Sequence, residues 1–73
     1  MDAKSTTTVQ SLDRAFLLIE LLSRYPQGVS LADISSNSGL AKATVSRLLA
    51  TLIQNSYVVQ NPDSKKYRLT MDV

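Results

Sequence analysis

Neither cysteine nor histidine occurs among the 73 residues. Without thiols there is no disulfide framework, no thiolate nucleophile and no thiolate metal site. Without imidazole the commonest general base and the commonest zinc ligand are gone as well. The acidic residues are scattered and form no paired arrangement at short spacing, so the chain is not expected to be an enzyme and no cofactor or metal is expected on it. Glycine and proline number two each. The longest unbroken apolar run, Ala15 to Ile19, is far short of the ~20 residues that a membrane span needs. The start, Met1-Asp2-Ala3-Lys4, lacks the apolar stretch behind a basic one that marks a secretory signal. What remains is 44% apolar and 19% charged, the composition of one small folded domain rather than a disordered tail. A soluble cytosolic binding module is the expectation.

The net charge of +2 says little, but its distribution says more. Residues 1–38 carry Lys4, Arg14 and Arg24 against Asp2, Asp13, Glu20 and Asp33. Residues 39–73 carry Lys42, Arg47, Lys65, Lys66 and Arg68 against only Asp63 and Asp72. No acid stands between Asp33 and Asp63. A basic half on a small domain suits an anionic partner, although a solvated surface can share the asymmetry.

Residues 1–8, rich in small polar side chains, read as a loose, disordered N-terminal arm, and residues 9–73 as one domain. Ser11 is a candidate N-cap for a helix from Leu12 to Tyr25, with Asp13 in its first turn and Pro26 ending it. Ser30 with Asp33 opens a second helix, Leu31 to about Ser38, closed by Gly39. A third spans about Lys42 to Gln54, with Asn55 as a left-handed cap. The period then falls from 3.6 to 2. Tyr57–Gln60 and Lys66–Thr70 read as strands, joined by a type I turn at Asn61-Pro62-Asp63-Ser64. The expected class is mainly α with a small β-hairpin: a three-helix winged helix-turn-helix.

The middle segment carries the strongest pattern. Leu31, Ile34, Leu40, Val45, Leu48, Leu49 and Leu52 are apolar, Ser35 is small, and Gly39 supplies a tight turn between two steeply crossed helices. On a helical wheel Ala41, Val45, Leu48, Leu49, Leu52 and Ile53 share the inward arc of the third helix. The outward arc holds Ala43, Thr44, Ser46, Arg47, Ala50, Thr51 and Gln54. It has no acid, and its side chains are short apart from Lys42 and Arg47. A helix entering the major groove needs both properties. Lys42, Ala43, Thr44, Ser46 and Arg47 are therefore candidates for reading bases, with Arg47 placed for a bidentate guanine contact and Ala43 for a thymine methyl.

The wing, 57–70, alternates Tyr67 and Leu69 with Lys66, Arg68 and Thr70, so one face packs and the other is cationic. Ser30, Thr51, Lys65, Lys66 and Arg68 are candidates for the DNA backbone or minor groove, adding affinity and salt dependence more than base choice. Edge-strand lysines also block aggregation, and both roles are compatible. In the first helix Leu12, Ala15, Phe16, Leu18, Ile19 and Leu22 form the expected core arc. Leu17 and Leu21 fall off it, between Arg14 and Arg24, and are candidates for a dimer contact. The competing function is a winged-helix module that docks protein, which would show apolar or acidic residues on the third helix. Double-stranded RNA fits less well, because its deep, narrow major groove does not admit a helix.

The runs Gln10–Ala15, Leu31-Ala32-Asp33-Ile34 and Ser38–Leu52, with Tyr57-Val58 and Tyr67-Arg68-Leu69, resemble the N-terminal domain of IclR-type transcriptional regulators. The resemblance covers roughly residues 9 to 70. It implies a prokaryotic, cytoplasmic, nucleoid-associated winged helix-turn-helix that regulates transcription, such as a repressor, by binding double-stranded, palindromic operator DNA as a homodimer. Members of that family continue into a C-terminal domain that binds a small-molecule effector, which would make this chain the DNA-binding fragment of a longer regulator. The family often has Pro where this chain has Ala41, Ser at Ala43, an aromatic or His at Ser46, and Gly at Ser56. Ala43 and Ser46 thus give this chain its own reading face.

Overall fold

The computed structural model describes residues 9–70, so the arm expected over residues 1–8 lies outside the described residues. Three helices, α1 (Gln10–Ser23), α2 (Leu31–Ser38) and α3 (Lys42–Gln54), precede two antiparallel strands, β1 (Val58–Gln60) and β2 (Tyr67–Leu69). This is the winged helix-turn-helix that the periodicities predict.

The α2–α3 unit follows the sequence signals closely. The Ser30 hydroxyl accepts the Asp33 amide at 3.1 Å and caps α2. Gly39 ends α2 at φ 77°, where an L side chain is strained. A Cβ there would meet nothing within 4 Å, so the glycine is needed for its backbone conformation and not for a close crossing. The Ser35 hydroxyl donates to the Leu40 carbonyl at 2.6 Å, fastening α2 to the turn that leads into α3.

Helix α3 ends at Gln54 as expected, but its left-handed residue comes one position later than expected. Asn55 has φ −92° and is not left-handed; Ser56, at φ 69°, takes that conformation instead. The Ser56 amide donates to Ile53 O and the Tyr57 amide to Leu52 O, each at 2.9 Å, a Schellman closure. Because the Tyr57 amide serves the helix, β1 begins at Val58. The Thr70 hydroxyl donates to the Ser56 carbonyl at 2.6 Å and ties the far strand to the same corner.

The wing pairs Val58 with Leu69, Val59 with Arg68 and Gln60 with Tyr67. Its turn is wider than a simple type I turn, since the Lys65 amide reaches back to Asn61 O at 2.8 Å and Lys65 has φ 68°. Asn61 Oδ1 accepts from the Asp63 and Ser64 amides at 2.7 and 3.0 Å, which holds the tip in shape. Val29 adds a one-residue third strand, exchanging two 2.9 Å hydrogen bonds with Tyr67. Gly28, at φ 107°, lets the chain pass under the wing: a Cβ there would lie 3.0 Å from the Lys66 Cβ.

The core consists of Leu18, Leu21, Leu22, Val29, Ile34, Val45, Leu49, Leu52 and Val58. Leu21, expected off the core arc, is 7% exposed and belongs to it. Leu12 and Phe16, expected inside, are exposed, with Phe16 at 59%. The inward arc of α1 is thus rotated by roughly 60° from the one the leucines suggest on a 100°-per-residue wheel. Apolar residues surround so much of this helix that its spacing cannot select a face. The helix also begins earlier than expected. Val9 is its N-cap, with no side-chain hydrogen bond, so Ser11 lies within the first turn rather than capping it. The Arg24 and Tyr25 amides return to Leu21 O and Leu22 O, a tightened last turn, so Tyr25 lies beyond the helix.

Candidate nucleic-acid interface

Helix α3 buries Val45, Leu49 and Leu52 and half-buries Leu48. Ala41 and Ile53, expected on the inward arc, are exposed, because each lies at an end of α3 beyond its packed stretch. Lys42, Ala43, Ser46, Arg47, Ala50, Thr51 and Gln54 face outward, as the wheel predicts. Thr44 is half-buried, at the edge of the face rather than on it. The Thr51 hydroxyl donates to the Arg47 carbonyl at 3.2 Å, leaving only its lone pairs for another partner.

The remaining candidates surround α3. Ser30 is half-buried, and because its oxygen accepts from Asp33 its own proton remains to be donated. Lys65 and Lys66 are exposed at the wing tip. Arg68 is exposed on the face opposite Tyr67 and Leu69, which are half-buried against the core. Its Nη1 donates to the Leu69 carbonyl at 3.5 Å.

Leu17 is 41% exposed, so it stands at the surface as expected. Leu21 does not accompany it, and the pair forms no shared outward surface. The exposed apolar residues of this region are instead Val9, Leu12, Phe16 and Leu17.

Arg14, which the sequence reading left without a place at the DNA interface, borders α3. Arg14 is half-buried and, with Ser11, Thr44, Arg47 and Leu48, lines a cleft of about 120 Å³ between the start of α1 and α3. The rotation of α1 carries Arg14 there: it lies four positions before buried Leu18. That spacing would have placed it beside α3 had the inward arc been known.

An outward helix with no acid, carried on a rigid turn and flanked by a cationic hairpin, defines a winged helix-turn-helix DNA-binding domain. The family model of the IclR helix-turn-helix domain matches residues 11–62, and the chain belongs to that family. It is 51% identical over 61 residues to the DNA-binding transcriptional repressor YiaJ of Escherichia coli, covering 84% of this chain and 22% of that protein. It is 40% identical over 63 residues to the HTH-type transcriptional regulator XynR of the same organism, covering 86% of this chain and 25% of that one. Among solved structures, an IclR-type transcriptional regulator from Alicyclobacillus acidocaldarius superposes with a TM-score of 0.82 at 33% identity, over 86% of this chain and 26% of its own. The chain therefore spans about a quarter of the length of these relatives. These two relatives are named as regulators of transcription. No helix among the described residues is long and apolar enough to cross a membrane.

Proposed function

We propose that the domain binds double-stranded operator DNA sequence-specifically, with α3 in the major groove and the wing on the backbone or minor groove, and so regulates transcription. The observation that carries the reading is the acid-free outward face of α3, whose first half combines short side chains with two long donors, Lys42 and Arg47. Short side chains allow the backbone to approach the base edges, and Arg47 supplies the fork geometry that fits guanine. Ala43 and Ser46 complete the reading face, and Thr44, half-buried, stands at its edge. Ser30, Lys65, Lys66 and Arg68 surround it with donors for phosphates, and Thr51 joins them only by releasing its proton from the Arg47 carbonyl.

The exposed apolar face of α1, Val9, Leu12, Phe16 and Leu17, supports a homodimer on a palindromic site. A face of four side chains is small for a stable dimer, so pairing depends on two half-sites bringing copies together.

Binding titrations on single and double half-sites, selected from a random duplex pool, test both parts. Arg47→Ala should cost about 1–3 kcal/mol on the best site and relax preference at one base position. Replacing Leu12 and Phe16 together by Asp should leave single half-site binding nearly intact and abolish cooperativity on the palindrome. An unchanged base preference in Arg47→Ala sinks the reading role; surviving cooperativity removes α1 from the dimer.

A further inference from the structure

From the cleft between α1 and α3 we infer a seat for one DNA backbone phosphate, with Arg14 as its principal ligand. The inference rests on the DNA-binding reading above and adds to it a contact made by α1. Arg14 is half-buried in the angle between the two helices, whereas Arg24, the C-cap at the other end of α1, is exposed. Arg24 has a carboxylate partner in Glu20, at 3.9 Å, the one ion pair among the described residues. Arg14 has none within that reach among them. A half-buried arginine that no carboxylate neutralises among the described residues keeps its charge available for an arriving anion.

The lining of the cleft specifies the anion. Two arginines, Arg14 and Arg47, and two hydroxyl residues, Ser11 and Thr44, line a space of about 120 Å³ together with Leu48, and no acidic residue lines it. Arg14 and Arg47 bring two like charges to one cleft, which favours an anion there. The forked donors of arginine match the paired non-bridging oxygens of a phosphodiester, and the hydroxyls supply single hydrogen bonds beside them. A compact apolar ligand gains nothing here. The opening lies on the flank of α3, on the same edge as Thr44, so a duplex whose base edges meet Arg47 lays one strand's sugar–phosphate chain along it. Once Arg47 turns to a base, Arg14 alone holds the phosphate. Arg14 then fixes how deep and at what angle α3 sits, and Arg47 reads.

The test uses the whole chain and duplexes carrying a single neutral methylphosphonate, moved one phosphate at a time along a half-site. For the unmodified protein one position flanking the major groove should lose about tenfold in affinity. Arg14→Ala should bind every sequence about tenfold more weakly with its base preference intact, and its log–log salt slope should fall by about one. It should also be indifferent to methylphosphonate at that one position. Arg14→Lys, which keeps the charge but not the fork, should recover the salt slope and only part of the affinity. Should Arg14→Ala prove too unstable to titrate, Arg14→Lys and the scan of the unmodified protein still decide. Full sensitivity of the Arg14 variants at the same position would overturn the seat. So would an unchanged salt slope in Arg14→Ala while Lys66→Ala lowers it, because that places the phosphate contacts on the wing alone. If inorganic phosphate at millimolar concentration protects Arg14 without duplex and DNA does not displace it, the cleft serves a free anion and the DNA contact is refuted. Failure of the unmodified chain to bind any duplex in a salt-dependent way would instead remove the DNA-binding reading itself.

Discussion

Leu21 and Phe16 exchange the roles that the wheel of α1 assigns them, and substitution separates the two arrangements. Leu21 is 7% exposed and packs with Leu18 and Leu22 among the core residues; Phe16 is 59% exposed. Leu21→Ala removes three buried carbons and leaves a cavity, which typically costs about 2–5 kcal/mol. The residual exposure argues for the lower half of that range. At about 0.05–0.15 kcal/mol per residue, a domain of this size has only about 4–11 kcal/mol in total. The variant thus loses a large fraction of its stability, and its melting temperature falls by at least about 8 °C at roughly 4–8 °C per kcal/mol. Phe16→Ala removes a larger side chain, but one mostly in solvent, and should change stability by no more than about 0.5 kcal/mol. Thermal and urea unfolding followed by far-ultraviolet circular dichroism measures both. If Phe16→Ala loses as much as Leu21→Ala, the helix sits with the other arc inward. The position of Arg14 beside α3 would then be wrong as well.

The glycines and the left-handed serine give two further outcomes. Gly39→Ala should cost about 1–2 kcal/mol through backbone conformation alone, whereas Gly28→Ala adds a 3.0 Å approach to Lys66 and should be the more destabilising of the two; equal losses in denaturant melts would contradict this. Ser56→Gly should stabilise by about 0.5–1 kcal/mol, because Ser56 holds φ 69° at the Schellman position and glycine takes it without strain; a lowered unfolding midpoint would show that the serine side chain is needed there.

How legible each part was depends on whether its signal is local. Ser30, Gly39 and the spacing from Leu31 to Leu52 act within one or two turns, and α2, α3 and their joint appear where the sequence puts them. The exposed face of α3 follows for the same reason. The face of α1 was not legible, since Leu12, Phe16, Leu17, Leu18, Ile19, Leu21 and Leu22 surround the helix and burial of apolar residues is a one-way rule. Only packing against α2, α3 and the wing chooses among them. Val29 joins the sheet through a partner 38 positions away, Tyr67, and nothing in Gly28-Val29-Ser30 announces it. Ser56 was visible only as a departure from the glycine common in the family. Its φ gives that preference a physical cause.

The crevice between α1 and α3 changes character along its length. Beside Thr44 it is lined by Arg14 and Arg47; beside Thr51 and Leu52 it is lined by Val9, Leu12 and Ala15. Ser11 and Leu48 border both ends. A single short helix therefore presents a cationic edge toward the first half of α3 and an apolar edge toward its second half. These suit different partners: the cationic edge is satisfied by a polyanion, while the apolar edge gains only from the loss of water. Had the two been mixed, each would weaken the other, through desolvated charge on one side and wetted carbon on the other. Because both edges belong to one helix, anchored in the core by Leu18, Leu21 and Leu22, a phosphate held at Arg14 also fixes where Leu12 and Phe16 point. If two copies pair through that apolar face, as proposed above, the geometry of α1 contributes to the spacing between their half-sites.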